Sequence, residues 1–195
     1  LREGAHIGIY SKNCREWIIS DLAIMMAGYV SVPFFSNLTS DEIKNLLDFG
    51  DVDLLIVGKV EDWENQKKGV PEEMPIISFP NYEGFSSVED GYQWYDFINN
   101  HEPLKETHQP DLDDIWTIIF TSGTTGDPKG VVLTYLALDK TKVIHSLSNP
   151  LKVDFSGNNE FISYLPLNHI AERIVVEHTA PVSYTHLTLP TRRGV

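Results

Sequence analysis

The stretch Thr121-Ser122-Gly123-Thr124-Thr125-Gly126-Asp127-Pro128-Lys129-Gly130 gathers hydroxyls, glycines and one lysine in a single run. The chemistry these residue types share is a grip on the oxygens of a polyphosphate. Gly123 and Gly126 let the backbone bend sharply and approach a ligand closely. Turned inward, free amides and the hydroxyls of Thr121, Ser122, Thr124 and Thr125 form a nest of donors. Lys129 adds a mobile positive charge. The Gly-Lys-Ser/Thr ending of a Walker loop is missing, and there is no G-x-G-x-x-G fingerprint. An exposed polar turn rich in Thr and Gly is the competing reading. The flanks weigh against it, because Ile118-Ile119-Phe120 and Val131-Val132-Leu133 are apolar, β-branched runs that read as strands holding the loop between them.

A second stretch, Ser163-Tyr164-Leu165-Pro166-Leu167-Asn168-His169-Ile170-Ala171-Glu172-Arg173, runs from strand through a Pro turn into a helix. His169 falls at the top of that helix. On spacing alone, a histidine after a Pro turn is more often structural than catalytic. Glu172 and Arg173 read as residues that orient the helix rather than touch a substrate.

The elements that must position these residues follow from pattern. His6 to Tyr10 is a short apolar strand. Asn13 followed by Glu16 predicts a helix start and Gly28 its stop. Trp17 to Ala27 is apolar nearly all round, interrupted by Ser20 and Asp21, which predicts a helix buried on most sides. Tyr29 to Phe35 reads as a strand, with Pro33 near an edge or an end. Thr39 and Glu42 form a second capping signature, opening a helix that Gly50 closes, and Val52 to Val57 is an apolar strand. This β-α-β-α-β order predicts a parallel sheet covered by helices, hence an α/β fold. Lys59 to Pro75 reads as surface loop with one helical turn, and Ile76 to Phe79 as a short strand. Ser86 to Asn100 is predicted helical, its Tyr92, Trp94, Tyr95 and Phe97 serving packing rather than a ligand box. Glu102 to Asp114 is a polar linker into the strand Trp116 to Phe120, and Val131 to Thr134 leads away from the loop. Leu136 to Ser148 is predicted as a helix ended near Pro150, and Glu160 to Leu165 as a strand.

Bulk composition narrows the partners. With 195 residues and 42% hydrophobic content the chain can bury the core of one domain. A net charge of −13 argues against nucleic acid or an anionic membrane surface as main partner. One cysteine, Cys14, cannot form an internal disulfide, which suits a reducing compartment, and it has no visible partner that would make it a nucleophile. No run of apolar residues is long enough to span a bilayer. No signal peptide is visible, and Leu1 is not an initiator methionine, so an N-terminal piece is expected to be missing.

Thr121 to Val131 closely resembles the signature loop of the adenylate-forming enzymes, the family of acyl-CoA synthetases, luciferases and peptide-synthetase adenylation domains. The Leu-Pro-Leu-x-His-x-x-Glu-Arg form of the second stretch is most similar to the long-chain acyl-CoA synthetase branch. Ile7 to Asn13, Glu16-Trp17 and Ala27 to Pro33 also resemble the start of that branch. The resemblance covers roughly residues 1 to 180 and implies a partial N-terminal, AMP-binding domain with its phosphate loop between two strands. It further implies a ligase that adenylates a long-chain fatty acid with ATP and then passes the acyl group to CoA. Thr121, Ser122, Gly123, Thr124, Thr125, Gly126 and Lys129 would hold the phosphates, with Thr121 an oxygen ligand for Mg²⁺. His169 would line the acyl and adenylate pocket, and His169 and Lys129 are the catalytic candidates. ATP, Mg²⁺ and CoA are the implied small molecules. A cytoplasmic location is expected, with peripheral membrane association allowed for and oligomeric state unassigned.

There are departures. Tyr135 stands where many relatives have His, and Asn168 replaces a commoner small residue. The family's later acidic metal ligand, ribose-binding aspartate, hinge and C-terminal domain with its lysine have no counterpart here, so the chain alone is expected to be inactive. Pro181 to Thr191 resembles a translated adapter, and 181–195 is expected to be a foreign tail. Two other functions fit the same residues: a ligase of the family for another carboxylic acid, and a non-catalytic nucleotide-binding module.

Overall fold

The computed structural model describes residues 1–122, 128–148, 160–179 and 186–188. The chain begins with β1 (His6–Tyr10), α1 (Arg15–Met26), β2 (Val30–Phe34), α2 (Ser40–Phe49) and β3 (Val52–Val57). A short helix α3 (Trp63–Gln66) continues into a 3₁₀ turn, followed by β4 (Ile76–Ser78), β5 (Tyr92–Gln93) and α4 (Trp94–Asn99). Next come β6 (Ile115–Ser122), β7 (Pro128–Thr134), α5 (Tyr135–Ser148), β8 (Glu160–Ile162), α6 (Ile170–Arg173) and β9 (His186–Thr188).

The main sheet has the order β5-β4-β3-β1-β2-β6-β7, parallel throughout except for the antiparallel β6–β7 pair. β1 lies between β2 and β3, so the crossovers β1-α1-β2 and β2-α2-β3 run in opposite directions across the sheet and, both being right-handed, set α1 and α2 on opposite faces. Two cores result. On the α2 face, Phe34, Leu46, Leu47, Leu55, Val57 and Phe120 pack together. On the α1 face, Ile7, Ile9, Trp17, Ile24, Leu167 and Val176 do so. Leu167 and Val176 flank the His169 helix, which is thereby rooted in the same core as α1.

Several local expectations hold. Thr39 caps α2 with a reciprocal box: its hydroxyl accepts from the Glu42 amide, and its own amide donates to the Glu42 carboxylate at 2.8 Å. Gly28, at φ +74°, ends α1 as expected. Pro33 sits near the end of β2, which is an interior strand.

Others are corrected. The residue before α1 is Cys14, without a side-chain cap; Asn13 and Glu16 have other partners, described below. Nor is α1 buried all round. Trp17, Ser20, Asp21 and Ile24 form its buried stripe, while Ile19 and Met26 stay exposed. The segment 59–75 is more than surface loop, since Val60 and Trp63 are fully buried. β3 carries Asp53, which takes a bond from the His6 amide at 2.8 Å and pairs with Arg2 at 3.0 Å. The long aromatic helix expected over Ser86–Asn100 is broken into β5 and the six-residue α4. Gly91, at φ +70°, lets the chain close on β4, where any side chain would strike the Ile76 carbonyl. Trp94 packs edge-on against Phe79 at 5.1 Å, so packing is indeed its use. β8 ends at Ile162, short of Leu165. The expected helix stop near Pro150 lies outside the described residues. Among the described residues, no helix is long and apolar enough to cross a membrane.

Candidate functional site

β6 and β7 are the two arms of a hairpin. Their register sets Ile119 opposite Val131, Phe120 opposite Gly130, Thr121 opposite Lys129 and Ser122 opposite Pro128. Side chains alternate along a strand, so Thr121 and Lys129 share one face with Thr117, and Phe120 points to the other. Phe120 anchors the hairpin: it stacks on Phe34 at 5.9 Å and meets Phe49 edge-on at 5.8 Å. Thr121 and Lys129 are exposed, at the open end of this anchored pair. A hydroxyl and an ammonium are thus held side by side at the mouth of the loop. Gly123, Thr124, Thr125 and Gly126 lie outside the described residues, so the nest read from them remains an expectation.

The second stretch is carried to the same, carboxyl-end rim of the sheet. β1 delivers Asn13 there, and its side chain reads the Pro turn of the second stretch like a backbone partner. Asn13 Nδ2 donates to the Leu165 carbonyl at 2.7 Å, and Asn13 Oδ1 accepts from the Leu167 amide at 2.9 Å. His169 follows as the residue that caps α6, its Nδ1 accepting from the Ala171 amide at 3.2 Å. With Nδ1 as acceptor, a neutral ring carries its proton on Nε2.

Below His169, Arg173 is fully buried and forms an ion pair of 2.6 Å with the equally buried Asp21 of α1. Its other terminal nitrogen, Nη1, donates to Thr117 Oγ1 at 2.8 Å, and Thr117 in turn donates to the Ser31 carbonyl at 2.7 Å. The Ser31 hydroxyl donates back to Asp21, closing a ring of polar contacts through α6, α1, β6 and β2. The guanidinium lies over Trp116 at 4.4 Å and Trp17 at 5.7 Å. Tyr135, at the start of α5, feels the same cluster; burial and then the Asp21 carboxylate raise its phenol above the ordinary range.

Glu16, expected in a capping box, is instead buried and ionised. Burial alone would raise its carboxyl, but hydrogen bonds from Arg15 and Tyr82 outweigh that and hold it below the usual carboxylate range. Cys14 is buried beside it, and burial pushes its thiol up to about 11.

The model of the AMP-binding enzyme family matches residues 1–191. The chain belongs to the AMP-binding enzymes. Long chain acyl-CoA synthetase 1 of Arabidopsis thaliana is 32% identical, covering 97% of this chain and 31% of its own length. The peroxisomal long chain acyl-CoA synthetase 6 of the same plant is 33% identical over 87% of this chain and 25% of its own. The AMP-binding chain described here therefore spans about a quarter to a third of the length of those relatives. Among solved structures, a long-chain-fatty-acid-CoA ligase from Archaeoglobus fulgidus superposes with a TM-score of 0.75 at 21% identity, over 97% of this chain and 36% of that one. ATP-bound MatB from Rhodopseudomonas palustris gives 0.74 at 18% identity, over 100% of this chain and 36% of that one. These two share the fold with this AMP-binding domain, a mostly parallel sheet flanked by helices.

Reading the sequence missed Asn13 as a tie to the second stretch, and it missed the ring around Arg173. The available signal was the pair Ser20-Asp21 inside an otherwise apolar helix: a charge on a buried stripe needs a partner.

Proposed function

We propose that this AMP-binding chain is part of an ATP-dependent long-chain fatty acid–CoA ligase. The observation that carries the proposal is the pairing of Thr121 with Lys129 on the two arms of a glycine-rich hairpin. The names of the sequence relatives supply the acid, and the ATP-bound structural neighbour supports the nucleotide.

In the first half-reaction a fatty-acid carboxylate oxygen attacks the α-phosphorus of ATP, and the bond to the bridging oxygen breaks to release pyrophosphate. In the second, the CoA thiol loses its proton and attacks the acyl carbon, and AMP leaves. Such steps need positioning and charge neutralisation more than covalent catalysis by the protein. Lys129 and the hydroxyls of Thr121 and Ser122 would hold the β- and γ-phosphates, joined by the backbone of Gly123 to Gly126. His169 would present its Nε2 side to the acyl and adenylate pocket. Mg²⁺ is a hard cation that favours carboxylates, phosphates and water. Thr121 offers one neutral oxygen beside a lysine, and the described residues hold no cluster of acidic, His or Cys ligands for a metal. That donor set fits a Mg²⁺ that would arrive on the triphosphate, with Thr121 the oxygen this part of the protein would offer it.

We take 1–180 as the part of the chain that binds ATP and 181–195 as a tail that binding does not need, so a chain ending at Ala180 should bind ATP as well as the whole. The function is tested by titrating ATP into the chain and by measuring acid-dependent exchange of labelled pyrophosphate into ATP with the complete ligase. Saturable binding, with exchange that requires a long-chain acid, is expected. Binding without exchange under any acid would leave a nucleotide-binding module. Exchange with a different acid would move the enzyme within its family; the neighbours at TM-scores of 0.75 and 0.74 carry different names on one fold, so the fold does not select the acid.

A further inference from the structure

We propose that Arg173 is a positioning residue that sets His169 against the phosphate-binding hairpin. The proposal rests on the ligase reading above for its catalytic consequence, and on geometry alone for its structural one.

Arg173 lies one helical turn beyond His169, so the orientation of its guanidinium fixes that of the histidine at the head of α6. Thr117, which accepts its bond at 2.8 Å, lies on β6 on the same face as Thr121 and Lys129. The guanidinium therefore ties the element that carries His169 to the strand that carries the phosphate residues. Asp21 at 2.6 Å holds it from α1, and the Ser31 carbonyl holds Thr117 from β2. The indoles of Trp116 and Trp17 fix the guanidinium plane. A flat, two-pronged cation suits this arrangement; a lysine ammonium would keep the charge but could not make both bonds in one plane.

A buried ion pair is a poor stabiliser compared with apolar side chains of similar size, because both charges must shed water. That separates positioning from bulk stability. In the double variant Arg173→Met with Asp21→Leu, both charges vanish together, so the fold should survive while the register of α6 is released. Misplacing a catalytic group by about 1 Å costs on the order of 100-fold in rate.

The experiment measures pyrophosphate exchange in the complete ligase and amide hydrogen exchange in this chain, for wild type, the double variant and Arg173→Lys. The expected result is kcat lower by about 100-fold in the double variant, with KM for ATP within about twofold and thermal unfolding nearly unchanged. The amides of Leu167 and Ala171 should exchange at least about tenfold faster, while those of Gly8 and Ile9 keep their protection. Arg173→Lys should fall between. A double variant that keeps the wild-type rate per folded molecule, or whose Leu167 and Ala171 amides stay protected, overturns the proposal. A wild-type ligase that catalyses no exchange sinks the ligase reading instead, and the amide measurement still decides the positioning role.

Discussion

Asn13 holds Leu167 through a side chain that both gives and takes. Its carbonyl oxygen accepts the Leu167 amide at 2.9 Å while its amide group donates to the Leu165 carbonyl at 2.7 Å. A carboxamide offers both from one short side chain, so Asn13→Ala should leave the half-buried Leu167 amide and the exposed Leu165 carbonyl without that partner and cost about 1–3 kcal/mol. Asn13→Asp keeps the acceptor, loses the donor and should fall between. Urea unfolding gives the energies. Faster exchange of the Leu167 amide in Asn13→Ala than in wild type is the local sign, and equal rates would count against the tie.

Lys129 stands exposed opposite Thr121 across the hairpin. Lys129→Ala should weaken ATP binding on the order of tenfold or more, since bonds to charged partners are the stronger ones. Replacing the exposed Lys140 of α5, as Lys140→Ala, removes the same charge outside the hairpin and should leave the affinity near wild type. Calorimetric titration of both, at matched ionic strength, makes the comparison; equal losses would mean that Lys129 acts only through net charge.

Thr39→Ala should cost about 1 kcal/mol, the usual value of a helix cap. The box also has a pH signature. The Thr39 amide and hydroxyl hold the Glu42 carboxyl below its usual range. Its contribution is therefore complete above the unfolded value of about 4.3 and is lost as pH falls through the lower folded value. Wild type should lose stability more steeply than Thr39→Ala below that point, and parallel curves of unfolding midpoint against pH would contradict the box.

Cys14 should be nearly inert. With burial raising its thiol to about 11, few thiolates exist at pH 8. Alkylation of the folded chain should run more than about 100-fold slower than of the unfolded chain. The folded thiol binds its proton more tightly, so this contribution is complete below the unfolded value near 8.5 and is lost as pH rises toward the folded one. Cys14→Ala should show a shallower alkaline decline. Rapid labelling at pH 8 in native conditions would overturn the account.

Short-range features were legible because their causes are local. Thr39 and Glu42 lie within one turn, so the box could be read directly, and it formed. Two apolar runs around a Gly-rich loop predicted two strands with the loop between them, and the structure pairs these as β6 and β7 from Ile115 to Thr134. The β-α-β-α-β rhythm predicted the parallel sheet for the same reason. Ser86–Asn100 failed on similar grounds: its aromatic pattern suits a helix, but pairing with β4 took Tyr92 and Gln93 into the sheet.

The sequence by itself determined the α/β class, a loop of hydroxyls, glycines and Lys129 between two strands, and His169 at the head of a helix; that Thr121 and Lys129 lie paired on the strands themselves came from the structure. Tertiary structure decided how these meet. Asn13 looked like a helix cap because its neighbour Glu16 is close in sequence, yet its partner Leu167 lies 154 residues away. Asp21 looked like a break in an apolar helix until Arg173, 152 residues on, supplied the charge that makes its burial tolerable. Periodicity records which face of an element avoids water, whereas the identity of a buried polar partner is settled only when the chain brings the two together.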